Sequence, residues 1–200
     1  MKGSLIIIGF FVLGILAGLY NIIPADIHQY NLSLYALCGL MFCVGISVGS
    51  DPNTILSFRK LNPRLAFLPL MTILGTLAGC IVVGLIWNRH ALTDYCAIGS
   101  GFGYYSLSSI IITEYKGAEL GTIALLSNII REVIALLCAP LFGKYFGPLS
   151  PISVGGATTM DTTLPIISRV SGKEFVVVSI FHGCLVDFSV TFLVTLFCSL

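Results

Sequence analysis

Hydrophobic positions along the chain fall into long runs cut by charges, prolines and Asn clusters rather than into a two- or three-residue alternation. Seven such runs are legible, at about 5–23, 32–49, 65–87, 95–113, 120–142, 151–168 and 175–199. About 20 apolar residues are needed to cross roughly 30 Å of hydrocarbon, so each run is long enough to be a membrane segment. The pattern predicts an all-α polytopic membrane protein of about seven segments, forming one membrane transport domain over residues 1–200. The first run follows Lys2 but outlasts a signal-peptide core and precedes no A-x-A site, so it is read as a span.

Five runs look like ordinary helices and two do not. The fourth carries Gly99-Ser-Gly-Phe-Gly-Tyr-Tyr-Ser-Leu-Ser-Ser109, and the sixth carries Gly155-Gly-Ala-Thr-Thr-Met-Asp-Thr-Thr-Leu-Pro165. Glycine costs about 1 kcal/mol in a helix interior and proline about 3, while hydroxyl side chains compete for backbone hydrogen bonds. Segments 95–113 and 151–168 are therefore expected to be discontinuous. Irregular backbone at membrane depth survives only where protein or a watery cavity satisfies it, and paired broken segments are the pattern of secondary transporters. Glycine pairs such as Gly14 with Gly18 and Gly75 with Gly79 suit close helix packing instead.

Composition narrows the class. Of 200 residues, 56% are hydrophobic and 10% charged, with a mean hydropathy of +1.01; a soluble domain carries about a quarter charged residues. The net charge of +1 leaves no basic surface for nucleic acid, and the lipid bilayer is the expected partner. The seven cysteines form no CxxC pair and have no zinc-like spacing with histidine, so neither metal nor cofactor is expected. Lys and Arg are retained in the cytoplasm. If all seven segments cross, Lys2, Arg59, Lys60, Arg64, Lys116, Arg169 and Lys173 lie inside, and Arg89 and Lys144 outside. A crossing sixth segment, with the N-terminus in and the C-terminus out, is the expectation.

Several charges sit where charge is costly. Asn128, Arg131 and Glu132 lie mid-run, Glu132 twelve residues after Leu120 and ten before Phe142. That is about 15 Å from either end, and an intramembrane charge costs about 2.5–3.5 kcal/mol even on the lenient scale. Asn128 and Glu132, four apart, share a face, while Arg131 points about 100° away and is free to find another partner. Asp161 sits in the expected break of the sixth segment, among Thr159, Thr162 and Thr163. Glu132 and Asp161 are thus expected to face one cationic group or share a proton. His182 and Asp187 in the last run are supporting candidates, His182 equally readable as a helix contact, and Tyr104, Tyr105 and Ser106 in the fourth-segment break are candidate cavity residues. Nucleophile elbows, His-Glu-x-x-His, phosphate loops and dinucleotide fingerprints are all missing, so no enzyme is expected. A channel is the other class weighed, though no filter run is visible.

The Gly99–Ser109 run, Asn128-Ile-Ile-Arg-Glu132, Pro140, the Gly155–Pro165 run and His182-Gly183 together resemble the LysO-type lysine exporters, most strongly over about 99–183. The resemblance implies export of L-lysine and of analogues such as thialysine from the bacterial cytoplasm across the inner membrane, with Glu132 and Asp161 at the family's intramembrane acidic positions. Coupling to proton entry is the expected drive; a channel, or an exporter of another amino acid or a polyamine, is the alternative. Longer members carry further N-terminal spans, so a homodimer or a small partner membrane chain is expected to complete the transporter.

Overall fold

The computed structural model describes residues 63–200, together with Leu13, Gly14, Leu16, Ala17, Leu19, Tyr20 and Ile46. Apart from those positions, the expected spans 5–23 and 32–49 and most of the basic loop after them lie outside the described residues. The described chain forms seven α-helices and no strand: α1 Leu68–Trp87, α2 Leu92–Gly99, α3 Tyr105–Lys116, α4 Ala118–Phe146, α5 Ser150–Gly155, α6 Leu164–Ser171 and α7 Val176–Ser199.

Three stretches are long and apolar enough to cross a membrane: Leu65–Trp87, Ala118–Phe146 and Lys173–Ser199. The first opens with a 3₁₀ turn, tolerates Pro69 in the first turn of α1, where its missing N–H leaves nothing unpaired, and ends at Asn88 in a left-handed conformation whose N–H donates to the Gly84 carbonyl at 2.9 Å.

The two broken segments lie between these helices, and both turn back on themselves. The first hairpin is α2, a break at Ser100–Tyr104, and α3; its two outer ends are held together by the Lys116 Nζ to Asp94 Oδ1 ion pair at 3.3 Å. The second is α5, a 3₁₀ turn Gly156–Met160, and α6; Pro151 at its start and Val170 near its end both lie against Gly143 of α4. The sixth segment, expected to cross, instead leaves by the end through which it entered, and so does the fourth. The physical reason is length. Half-helices of 6 to 12 residues rise about 9–18 Å, half the hydrocarbon depth, and the polar tips between them are satisfied by neighbouring backbone and side chains.

The hairpins enter from opposite ends. Arg89 and Lys116 mark the end where α1 and α3 finish; Lys144, Arg169 and Lys173 mark the other. The sequence expectation had grouped Lys116 with Arg169 and Lys173, and Lys144 with Arg89, an exchange that follows directly from both segments turning back. Two apolar cores stack along the bundle. One joins the first hairpin to the far half of α7 through Ala97, Phe102, Ile112, Val186, Val190 and Val194; the other joins the second hairpin to α4 and the start of α7 through Ala139, Ile152, Ile166, Ile167 and Val178. The tips meet between the cores, where the Ala157 N–H donates to the Phe102 carbonyl at 3.0 Å.

Sidedness of single cysteines introduced at Asp94 and Lys116 tests this topology in intact cells. Both are expected to react with an impermeant maleimide from one side, with Arg169 and Lys173 replacements reactive only from the other; labelling of positions 94 and 116 from opposite sides contradicts a turned-back hairpin.

Candidate functional site

The first tip needs side chains from elsewhere because its backbone leaves the helix. Phe102 is fully buried at φ 45° and Gly103 follows at φ 95°. Asn128 of α4 supplies the missing partners: its Oδ1 accepts from the Gly103 N–H at 2.8 Å, and its Nδ2 donates to the Ile98 and Ala124 carbonyls at 3.2 and 2.9 Å. The Ser108 hydroxyl donates to the Tyr104 carbonyl at 2.9 Å. Asn128, 3% exposed, thus has oxygen and amide both engaged with backbone, and it holds the tip.

One turn further on, Arg131 does the same for the second tip. Its Nε donates to the Val154 carbonyl at 3.0 Å, Nη2 to the Ser153 carbonyl at 3.3 Å and Nη1 to Thr76 Oγ1 at 3.3 Å. These carbonyls end α5, where a cation complements the helix dipole, and the guanidinium also lies 5.7 Å from the centroid of the Phe102 ring. Arg131 has turned, as its angle on the helix allowed, to carbonyls rather than to a carboxylate. Within the tip, Thr158 and Thr163 hydroxyls donate to the Gly155 and Thr158 carbonyls, both at 2.9 Å.

His182 and Thr159 belong to a buried polar network. The His182 ring nitrogens lie 3.1 Å from Thr159 Oγ1 and 2.9 Å from Thr72 Oγ1, and Thr72 in turn meets Ser153 Oγ at 2.8 Å. Ser179 Oγ donates to the Thr159 carbonyl at 2.8 Å. This network ties α1, the second tip and α7 together, with both His182 ring nitrogens engaged in it. Thr72 was not singled out from the sequence, because a lone threonine in an apolar run carries no signal.

The carboxylates are differently placed. Glu132, on another side of α4 from Arg131, lies close to Thr162 and within electrostatic reach of Asp161. Tyr105, the first residue of α3, is within reach of both Glu132 and Asp161, and Asp187 of α7 is within reach of Asp161. Two atoms here are buried without a hydrogen-bond partner among the described residues, Thr162 Oγ1 and Asp187 Oδ1. Among the described residues the Lys116–Asp94 bridge is the only ion pair, so none of their cations lies within ion-pair distance of the three acids. Tyr104 and Tyr105 are each 37% exposed and Ser106 is exposed beside them, so the first turn of α3 is the open flank.

Of the eleven residues singled out from the sequence, the structure gathers Glu132, Asp161, Thr162, Tyr105 and Asp187. Tyr104 and Ser106 flank them, while Asn128, Arg131, Thr159 and His182 form the frame. Two cavities of about 450 and 440 Å³ lie elsewhere, along α1, α2, α4 and α5; both are lined by Thr76, Ser127 and Arg131, and neither by the acids. The arrangement brings together carboxylate and hydroxyl oxygens that no cation among the described residues pairs with, suited to a positively charged group.

Comparison with known proteins gives a family. The model of the family described as lysine exporter LysO matches residues 8–198. The lysine exporter LysO of Escherichia coli strain K12 is 31% identical over 194 residues, covering 97% of this chain and 64% of that protein. A putative lysine exporter of Haemophilus influenzae is 32% identical over 167 residues, 84% of each chain. The chain therefore spans under two thirds of the length of the Escherichia coli relative. No solved structure matches.

Proposed function

The chain belongs to the LysO lysine exporter family, and we propose that it is a secondary transporter carrying L-lysine, and analogues such as thialysine, out of the bacterial cytoplasm across the inner membrane in exchange for protons. The observation that carries this reading is that Glu132 of α4 and Asp161 of the second tip lie within electrostatic reach of one another, with no ion-pairing cation on either among the described residues. Lysine brings two ammonium groups to such a site, and its methylenes suit tyrosine walls. Its carboxylate is complemented by the N-terminal end of α3, which starts at Tyr105 beside the acids.

Proton exchange follows from competition. A carboxylate that holds an ammonium releases its proton, and one that regains the proton releases the ammonium, so the two passengers alternate at one site. The charge distribution supports a direction: Lys144, Arg169 and Lys173 gather at one end and Arg89 and Lys116 at the other, an excess that favours a cytoplasmic second hairpin. Transporters of this kind place solute sites where broken helices meet near the midplane. We further propose that a second copy or a small partner membrane chain completes the assembly.

Labelled lysine in inverted vesicles carrying the full chain tests the reading. Accumulation that needs an imposed pH gradient (vesicle interior acidic) and saturates with lysine is the expected result. Uptake that neither saturates nor responds to pH indicates a channel, and uptake of other amino acids or polyamines in its place moves the substrate.

A further inference from the structure

The two hairpins and the crossing helices that follow them repeat in sequence register. Gly117 joins the first hairpin to α4 with φ 95° and ψ 170°, and Gly172 joins the second to α7 with φ 107° and ψ 156°. These joints share one backbone conformation essentially reserved for glycine, and they lie 55 positions apart. Counting on from each glycine, Glu132 and Asp187 are both the fifteenth residue, which on a helix is a depth of about 20 Å. Glu132 is also fifteen residues before Gly147, which closes α4, so it lies midway along that helix, and because the hairpins enter from opposite ends Asp187 comes to about the same level. The crossing helices of an inverted repeat thus each deliver one carboxylate to the hairpin tips.

Asp187 also has unmet bonding capacity. Its Oδ1 is buried and without a hydrogen-bond partner, and no lysine or arginine pairs with it among the described residues. Asp161 is the group both helices share, lying within electrostatic reach of Glu132 and of Asp187. The N-terminal end of α3, which complements the solute carboxylate, is on the side of Glu132 and Asp161 through Tyr105. An amino acid anchored there by its α-ammonium and carboxylate leaves Asp187, within electrostatic reach of Asp161, as the acid available to its side chain.

We propose that Asp187 is the second repeat's counterpart of Glu132 and receives the side-chain ammonium of the solute, making it the residue that selects a diamino acid over amino acids with neutral side chains. This rests on the lysine reading above, and the two fail differently: the unsubstituted chain that moves no lysine sinks that reading, whereas the present proposal is judged by comparing variants of a chain that does.

The test measures lysine KM and maximal rate in inverted vesicles for the native chain, Asp187→Asn and Asp187→Glu. Asp187→Asn is expected to raise KM about tenfold or more, keep the maximal rate of inserted protein within about threefold, and be largely rescued by Asp187→Glu. An unchanged KM, or a lost maximal rate at native KM, overturns the proposal. Cys184 gives a second reading on the native chain should Asp187→Asn fail to insert. It is exposed, one turn before Asp187 and within electrostatic reach of it. Lysine is expected to slow maleimide modification of the Cys184 peptide at concentrations where norleucine, which lacks the side-chain ammonium, does not; equal protection by both, or by neither, overturns the assignment.

Discussion

Glu132→Gln and Asp161→Asn are each expected to lower pH-driven lysine flux by about a hundredfold or more while the protein still inserts. An ammonium that loses one close, poorly hydrated carboxylate loses about 2–5 kcal/mol, a factor of roughly thirty to several thousand. Folding responds in the opposite sense. Among the described residues no cation pairs with the three acids, so an amide of nearly equal volume removes a charge that is costly to keep at mid-depth. Each variant is therefore predicted to be at least as thermally stable in detergent as the native chain. The pairing of lost flux with retained or raised stability separates a solute site from a structural ion pair, whose disruption lowers both. Flux within about threefold of native in either variant contradicts the assignment.

Gly156→Ala is expected to be the most damaging small substitution in the described chain. Gly156 turns the second tip at φ 65°, and a Cβ there runs into the Phe102 carbonyl oxygen, the backbone atom that accepts the Ala157 N–H. Arg131 Nη2 stands 3.2 Å from the same position and is tethered to the Ser153 carbonyl, so neither it nor the Phe102 backbone is free to swing away. With ψ −129° this sparsely populated backbone region costs a non-glycine residue about 1–3 kcal/mol, and parting the two tips adds the loss of their shared hydrogen bond, about 1 kcal/mol or more when a buried group is left unpaired. Gly147→Ala provides the comparison, because Gly147 also has positive φ, 87°, but has nothing within 4 Å of the added Cβ. Thermal unfolding in detergent is expected to show Gly156→Ala several degrees below Gly147→Ala, with lysine flux lost in the former only. Equal midpoints contradict the tight junction of the tips.

Much of this arrangement is legible from residue types alone. Gly99–Gly103 and Gly155–Gly156 cannot continue a helix cheaply, and both segments do break there; Glu132 and Asp161 stand out because charge at that depth has a price. The direction of the chain after each break was not legible. A broken segment that crosses and one that returns have the same composition, and the difference rests on contacts between residues far apart in sequence, Asp94 with Lys116 and Gly143 with Pro151 and Val170. Roles within the polar set were obscure for the same reason. Asn128, Arg131 and His182 look like Glu132 along the chain, and only the fold shows that they bond the carbonyls of Ile98, Ser153 and Val154 and the hydroxyls of Thr72 and Thr159. Angular position on α4 separates Arg131 from Glu132, and the sequence does carry that signal.

The convergence of Glu132 and Asp161 is open to a direct chemical measurement. In the full chain in native membranes, the double substitution Glu132→Cys and Asp161→Cys is expected to be bridged by a short bifunctional thiol reagent, detected as a linked pair of peptides spanning α4 and the second tip, with lysine slowing the reaction when only one of the two positions is substituted. Each cysteine reacting singly, without linkage and regardless of lysine, means that the two acids do not share a site.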